Sequence, residues 1–144
     1  MCRGFSSLTI RSYFMVAGLH FRVQHGFMII LPQKILNNRQ KNKAAFSMQL
    51  KAALENLGLK ELPLQQGLSA SSVALDDELQ VIILSVEEKQ AHIEVHAGIF
   101  YSGVIAGCNC AGDPTPVDRV NEYCEIDIRI EADTGETAIR LSPG

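Results

Sequence analysis

From Cys124 to Glu131 the sequence CEIDIRIE alternates apolar and charged residues with a period of two. Cys124, Ile126, Ile128 and Ile130 fall on one side of an extended chain, and Glu125, Asp127, Arg129 and Glu131 on the other. Successive side chains of a strand point to opposite faces, so this pattern specifies a strand buried on one face only. Such half-buried strands belong to antiparallel sheets, because parallel sheets are covered on both faces. Asp133–Glu136, DTGE, then places a glycine where a hairpin turn needs left-handed backbone. TAIRL returns with Thr137, Ile139 and Leu141 on one face. A chain holding this hairpin needs a second layer to cover the apolar side.

Ser47–Leu62, SMQLKAALENLGLKEL, supplies that layer. Leu50, Ala53, Leu54 and Leu57 lie at i, i+3, i+4 and i+7, one face of a helix. The helix is expected to start near Met48. Gly58 is expected to end it in the left-handed conformation, with Leu59 folding back on Leu54. Gln65–Ser72 reads as a loop, followed by a short strand at Val73–Leu75. Val81–Leu84 within ELQVIILSV reads as a strand, EEKQ as a turn, and residues 91–107 as a long second strand. Gly98, Gly103 and Gly107 in that strand signal a bend or a close approach. In TPVDRVNEY, Thr115 can cap, Pro116 suits the first helical position and Asp118 sits three residues after the cap. A short helical turn is therefore expected from about Pro116 to Asn121. The expected fold is α+β: an N-terminal helix on an antiparallel sheet of about four strands, with a helical turn between strands two and three.

Charge divides the chain. Residues 1–47 hold no Asp or Glu and seven basic residues, whereas residues 48–144 carry a net charge of −10. The basic segment reads in three ways: a transit peptide, an arm for nucleic acid or an acidic partner, or the product of a start placed too early. The last is favoured, with Met48 the first residue of a single compact domain over 48–144. No amphipathic period runs through the segment, and Pro32 and Asn37–Asn38 interrupt it. Residues 1–47 are thus expected to be disordered or outside the native product. Their longest apolar run, Phe27–Leu31, is too short for a membrane span or a secretory signal. A cytoplasmic location follows as the expectation, with no membrane partner, and with cysteines free, metal-bound or catalytic. The charge of residues 48–144 argues against nucleic acid as a partner of that part.

The one stretch dense in reactive side chains is Gly107–Cys124, GCNCAGDPTPVDRVNEYC. Its candidate thiol or ligand residues are Cys108, Cys110, Cys124 and Asp113, with Asp113 before Pro114 also starting a turn. Cys108 and Cys110 are two apart, about 6.6 Å between α-carbons in extended chain, at the limit of disulfide geometry. A zinc site on Cys108, Cys110 and Cys124 would need a histidine or carboxylate as fourth ligand. The simpler reading makes these cysteines small, buried, apolar residues. Arg119 is the only basic residue between Cys108 and Cys124, so nothing obvious stabilises a thiolate. His92, Glu94 and His96 share one side of a strand, but the two histidines are about 13 Å apart and cannot hold one metal. A solvated strand face is the preferred reading. No phosphate-binding loop, G-x-S-x-G or dinucleotide fingerprint is present.

Tyr101–Pro116, YSGVIAGCNCAGDPTP, with EYCEIDIRI and DTGETAIRL, resembles a small family of bacterial proteins of no established activity. These share a Gly-Cys-x-Cys-Ala segment, an Asp-Pro-Thr-Pro turn and a Glu-Tyr-Cys strand start. The likeness runs from about Gln49 to the end. It implies a compact α+β fold and a bacterial cytoplasmic origin. Together the residues suggest a small, acidic, non-enzymatic module that binds a protein or a small ligand without a cofactor. The alternative is a metal-binding or redox thiol protein, with zinc on Cys108, Cys110 and Cys124.

Overall fold

The computed structural model describes residues 26–105 and 118–143. In chain order they form β1 (Phe27–Ile30), α1 (Gln33–Lys41), α2 (Lys43–Glu55), β2 (Val73–Glu88), β3 (His92–Val104), β4 (Arg119–Glu131) and β5 (Glu136–Leu141). The five strands make one antiparallel sheet in the order β1-β5-β4-β3-β2.

The alternation in β4 holds. Ile126, Ile128 and Ile130 are buried and oppose Ala97, Val95 and Ile93 of β3 on one side. On the other side Ile128 and Ile130 oppose Ile139 and Thr137 of β5. Phe46, Leu50 and Leu54 of α2 recur every four residues and close over this inner face, with Leu36 of α1 in the same core. Gly135 turns the β4–β5 hairpin with φ of 77°. Leu31 donates its N–H to the Gly135 carbonyl at 2.9 Å, and a Cβ at Gly135 would lie 2.6 Å from the Leu31 carbonyl oxygen. Both the backbone angle and this approach require glycine there.

Several expectations change. The sheet has five strands, because Phe27–Ile30 pairs with β5 from Phe27↔Ile139 to Ile30↔Glu136. The expected boundary at Met48 cuts through α2, and Leu31, Leu36 and Phe46 lie in the core. Pro32 does not interrupt a helix but precedes the first turn of α1, where a missing N–H costs nothing. Asn38 sits inside α1 and donates its amide to Gln49 Oε1 at 2.9 Å, joining the two helices. α2 starts at Lys43 because the Asn42 side chain accepts from the N–H groups of Ala44 and Ala45. Gly58 is not left-handed: Gly135 is the one positive-φ glycine among the described residues. Leu59 stays 37 % exposed. Residues 58–62 instead form a turn in which Glu61 and Leu62 both donate to the Gly58 carbonyl.

The two short strands expected around Val73 and Val81 are one long strand, with register shifts between Leu75 and Gln80 and between Ile83 and Ser85. It runs through Glu88, two residues into the expected turn. The expected helical turn at Pro116–Asn121 is not formed over its described part. Arg119, Val120 and Asn121 belong to β4, opposite Val104, Gly103 and Ser102. Extending an existing ladder satisfies these backbone groups without the cost of nucleating a lone helical turn.

Candidate functional site

Of the residues singled out from the sequence, Cys108, Cys110 and Asp113 lie outside the described residues. Cys124 is on the inner face, 7 % exposed and opposite Ile99. Gly67 crosses directly over it: a Cβ at Gly67 would stand 2.7 Å from Cys124 Cβ and 3.1 Å from its Sγ. Burial pushes the thiol up to about 11, with the Tyr101 hydroxyl pulling the other way. Cys124 is therefore a neutral thiol near pH 7. Among the described residues, no three His, Cys, Asp or Glu side chains are grouped to hold a metal ion.

Two residues before Cys124, on the same side of β4, Glu122 is 2 % exposed. Its carboxylate is wrapped by the loop leading into β2. Ser69 donates through its N–H at 3.0 Å and its hydroxyl at 2.7 Å. Ala70 donates its N–H at 2.9 Å, and Ser71 donates its N–H at 2.7 Å and hydroxyl at 2.6 Å. Burial alone would raise the Glu122 pKa. The Ser71 and Ser69 hydroxyls and the amides of Ala70 and Ser69 outweigh it and hold the carboxyl well below the usual range. Reading Ser69–Ser72 as a plain polar loop misses this contact. One signal was available: Glu122 occupies an inner position in the alternation that continues through Cys124 and Ile126. A charge there has to find donors.

The same loop is tied down at other points. Tyr101 donates its hydroxyl to the Leu64 carbonyl at 2.9 Å. The Gln65 side chain donates to the Ser72 carbonyl at 2.8 Å and accepts from Ala74 N–H at 3.0 Å. A Cβ at Gly103 would collide with the Ser71 hydroxyl, so that glycine marks a close approach.

The sheet face turned away from the helices carries a different set. Phe100 and Tyr123 oppose each other on β3 and β4, with ring centroids 4.7 Å apart and planes tilted by 42°. They are 44 % and 41 % exposed. Gly98 makes room for the Tyr123 ring, since a Cβ there would lie 2.5 Å from its hydroxyl oxygen. Exposed Ile82 sits opposite Gly98 on β2. Tyr123 donates its hydroxyl to Glu125 Oε1 at 3.0 Å.

Beside this cluster, His96 bridges two carboxylates of β4. Its Nε2 lies 2.9 Å from Glu125 Oε2 and its Nδ1 2.8 Å from Asp127 Oδ1. Both ring nitrogens can donate only in the imidazolium form. The bond to Asp127, with that to Glu125, raises the His96 pKa against partial desolvation. Arg140 stands 3.5 Å from the other Asp127 oxygen. His92 pairs with Glu94 at 3.1 Å, whereas His96 turns across the sheet to Glu125 and Asp127.

Chemically the two regions differ. The inner one holds a buried carboxylate held ionised by its five donors and a neutral thiol, both covered by the loop before β2. The outer one offers exposed aromatic and aliphatic surface framed by carboxylates. Comparison of the chain with protein-family models, with curated proteins and with solved structures finds no match.

Proposed function

We propose that the protein is a non-enzymatic module that binds another protein across the sheet face opposite the helices. The observation that carries this reading is the Phe100–Tyr123 pair, packed ring to tilted ring yet exposed to solvent on that face. Aromatic side chains supply a disproportionate share of interface energy and are enriched in interface centres. Ile82 widens the apolar patch, and Glu125 and Asp127 follow Tyr123 along the same face of β4. A gently open sheet face suits a protein surface better than a small molecule, which needs a concave site. Glu125 and Asp127 lie beside the aromatic pair, so the complementary partner presents an apolar anchor flanked by Lys or Arg.

Peptide display on the immobilised protein tests the reading. Selected peptides should carry aromatic or aliphatic anchors with basic neighbours and bind more weakly as salt is raised. The double variant Phe100→Ser/Tyr123→Ser should keep its circular dichroism spectrum and lose affinity by about tenfold or more. Peptides without basic bias, or with equal affinity for the double variant, would refute it.

A further inference from the structure

One physical arrangement joins the loop before β2 to the buried thiol. Between Leu64 and Ala74, both fully buried, every side chain is at least partly exposed. Leu68 packs only partly against the core. Apolar packing therefore contributes little to holding these residues in place. Polar contacts hold them instead: five donors converge on Glu122, and Gln65 ties the loop to Ser72 and Ala74. Beneath the loop lie Glu122, Tyr101 and Cys124 of the inner face, with Gly67 in contact with Cys124.

From this geometry we infer that residues 65–72 are a strap latched by Glu122, and that opening of the strap, rather than unfolding of the sheet, gates access to the Cys124 thiol. The energetics favour a local event. When the strap lifts, the Glu122 carboxylate and the freed serine groups are rehydrated, so the net cost is far below the sum of five bonds. Few apolar contacts are lost. Segments with few buried contacts and hydrogen bonds that water can replace open at lower free energy than the core around them. The sheet under the strap keeps its pairing, because Cys124 stays opposite Ile99 in the middle of the β3–β4 ladder. Opening thus exposes the Cys124 thiol to solvent, and the closed strap shields it.

Two latch points can be weakened independently. Glu122→Gln keeps the shape but removes the charge and turns one acceptor into a donor facing donors. Gly67→Ala leaves Glu122 alone but forces a methyl group against Cys124 and Leu141, lifting the strap from its other side.

The experiment is alkylation of the full chain by iodoacetamide, with the Cys124 peptide followed by mass spectrometry so that the other thiols do not interfere. It is run from zero to low urea. Wild-type Cys124 should label slowly, at a rate nearly independent of low urea, as local opening requires. Glu122→Gln should speed labelling by on the order of tenfold to a hundredfold, the range expected when charged hydrogen bonds are lost, and Gly67→Ala should speed it severalfold or more through the steric clash. Ile139→Val, a core change away from the strap, should leave the zero-urea rate within about twofold of wild type while lowering global stability.

Hydrogen exchange at the amides of Ser69, Ala70 and Ser71 should accelerate in step with labelling. If Glu122→Gln fails to fold, Gly67→Ala and Ser71→Ala carry the test with the same expected direction. The inference is overturned if wild-type labelling follows the full urea dependence of global unfolding. It is equally overturned if folded strap variants label at the wild-type rate.

Discussion

His96 shows how one side chain can be placed by two neighbours. Its nitrogens face Glu125 and Asp127, Tyr123 and Arg140 act on it through those carboxylates, and Ser85 lies opposite on β2. The folded pKa is raised above the ordinary 6.5. For a base raised by folding, the stabilising contribution is complete below the unfolded value and fades as pH climbs through the folded one. The melting temperature of wild type minus that of His96→Asn should therefore be largest below about pH 6.5 and shrink toward pH 9. A difference that is flat across that window would contradict the bridge. Cys124 supports a second expectation: its inner-face position and raised pKa are the opposite of what a zinc thiolate needs. Elemental analysis of the purified protein should find no stoichiometric zinc. One zinc per chain, lost together in Cys108→Ser, Cys110→Ser and Cys124→Ser, would make Gly107–Cys124 a metal loop.

Among the elements, α2 and the β4–β5 hairpin were legible because their apolar residues follow the helical and strand periods without interruption. Leu54→Ala in α2 removes a side chain with 0 % exposure and should cost about 2–5 kcal/mol in urea denaturation. A cost near zero would mean that α2 is not packed on the sheet. β1 was not legible, since FMII is four residues with no alternation and becomes a strand only because β5 offers a free edge. α1, QKILNNRQK, is mostly polar and takes its place from one buried leucine and from Asn38. The clamp on Glu122 joins residues more than fifty positions apart, so only its unusual inner position hinted at it. β2 is an edge strand of 16 residues, an exposed template for mispairing. Its edge is blunted locally: Glu55 accepts the Val81 N–H at 3.0 Å, Gln65 accepts that of Ala74, and Asp76, Asp77 and Glu78 fill the first register shift.

At the scale of the molecule, the charge divide in the sequence does not coincide with a structural divide. Leu31, Leu36 and Phe46 come from the acid-free segment, and each buried side chain of this size contributes about 1.5–3 kcal/mol. Their sum is comparable with the whole stability of a typical domain, about 5–15 kcal/mol. A chain truncated to begin at Met48 should therefore melt far lower than the full chain or fail to fold, as followed by calorimetry. An unchanged melting temperature would show that β1 and α1 are dispensable. The pairing of β1 with β5 also sets an order on biosynthesis. Among the described residues, the first strand, β1, finds its partner in the last, β5, which is synthesised after all the elements between them. Until then the inner face of β4 lacks its β5 neighbour and Leu31 has no Gly135 carbonyl to bond. The nascent chain must wait with its N-terminal apolar residues exposed, and such long-range closure is slow and open to capture by chaperones or by other chains.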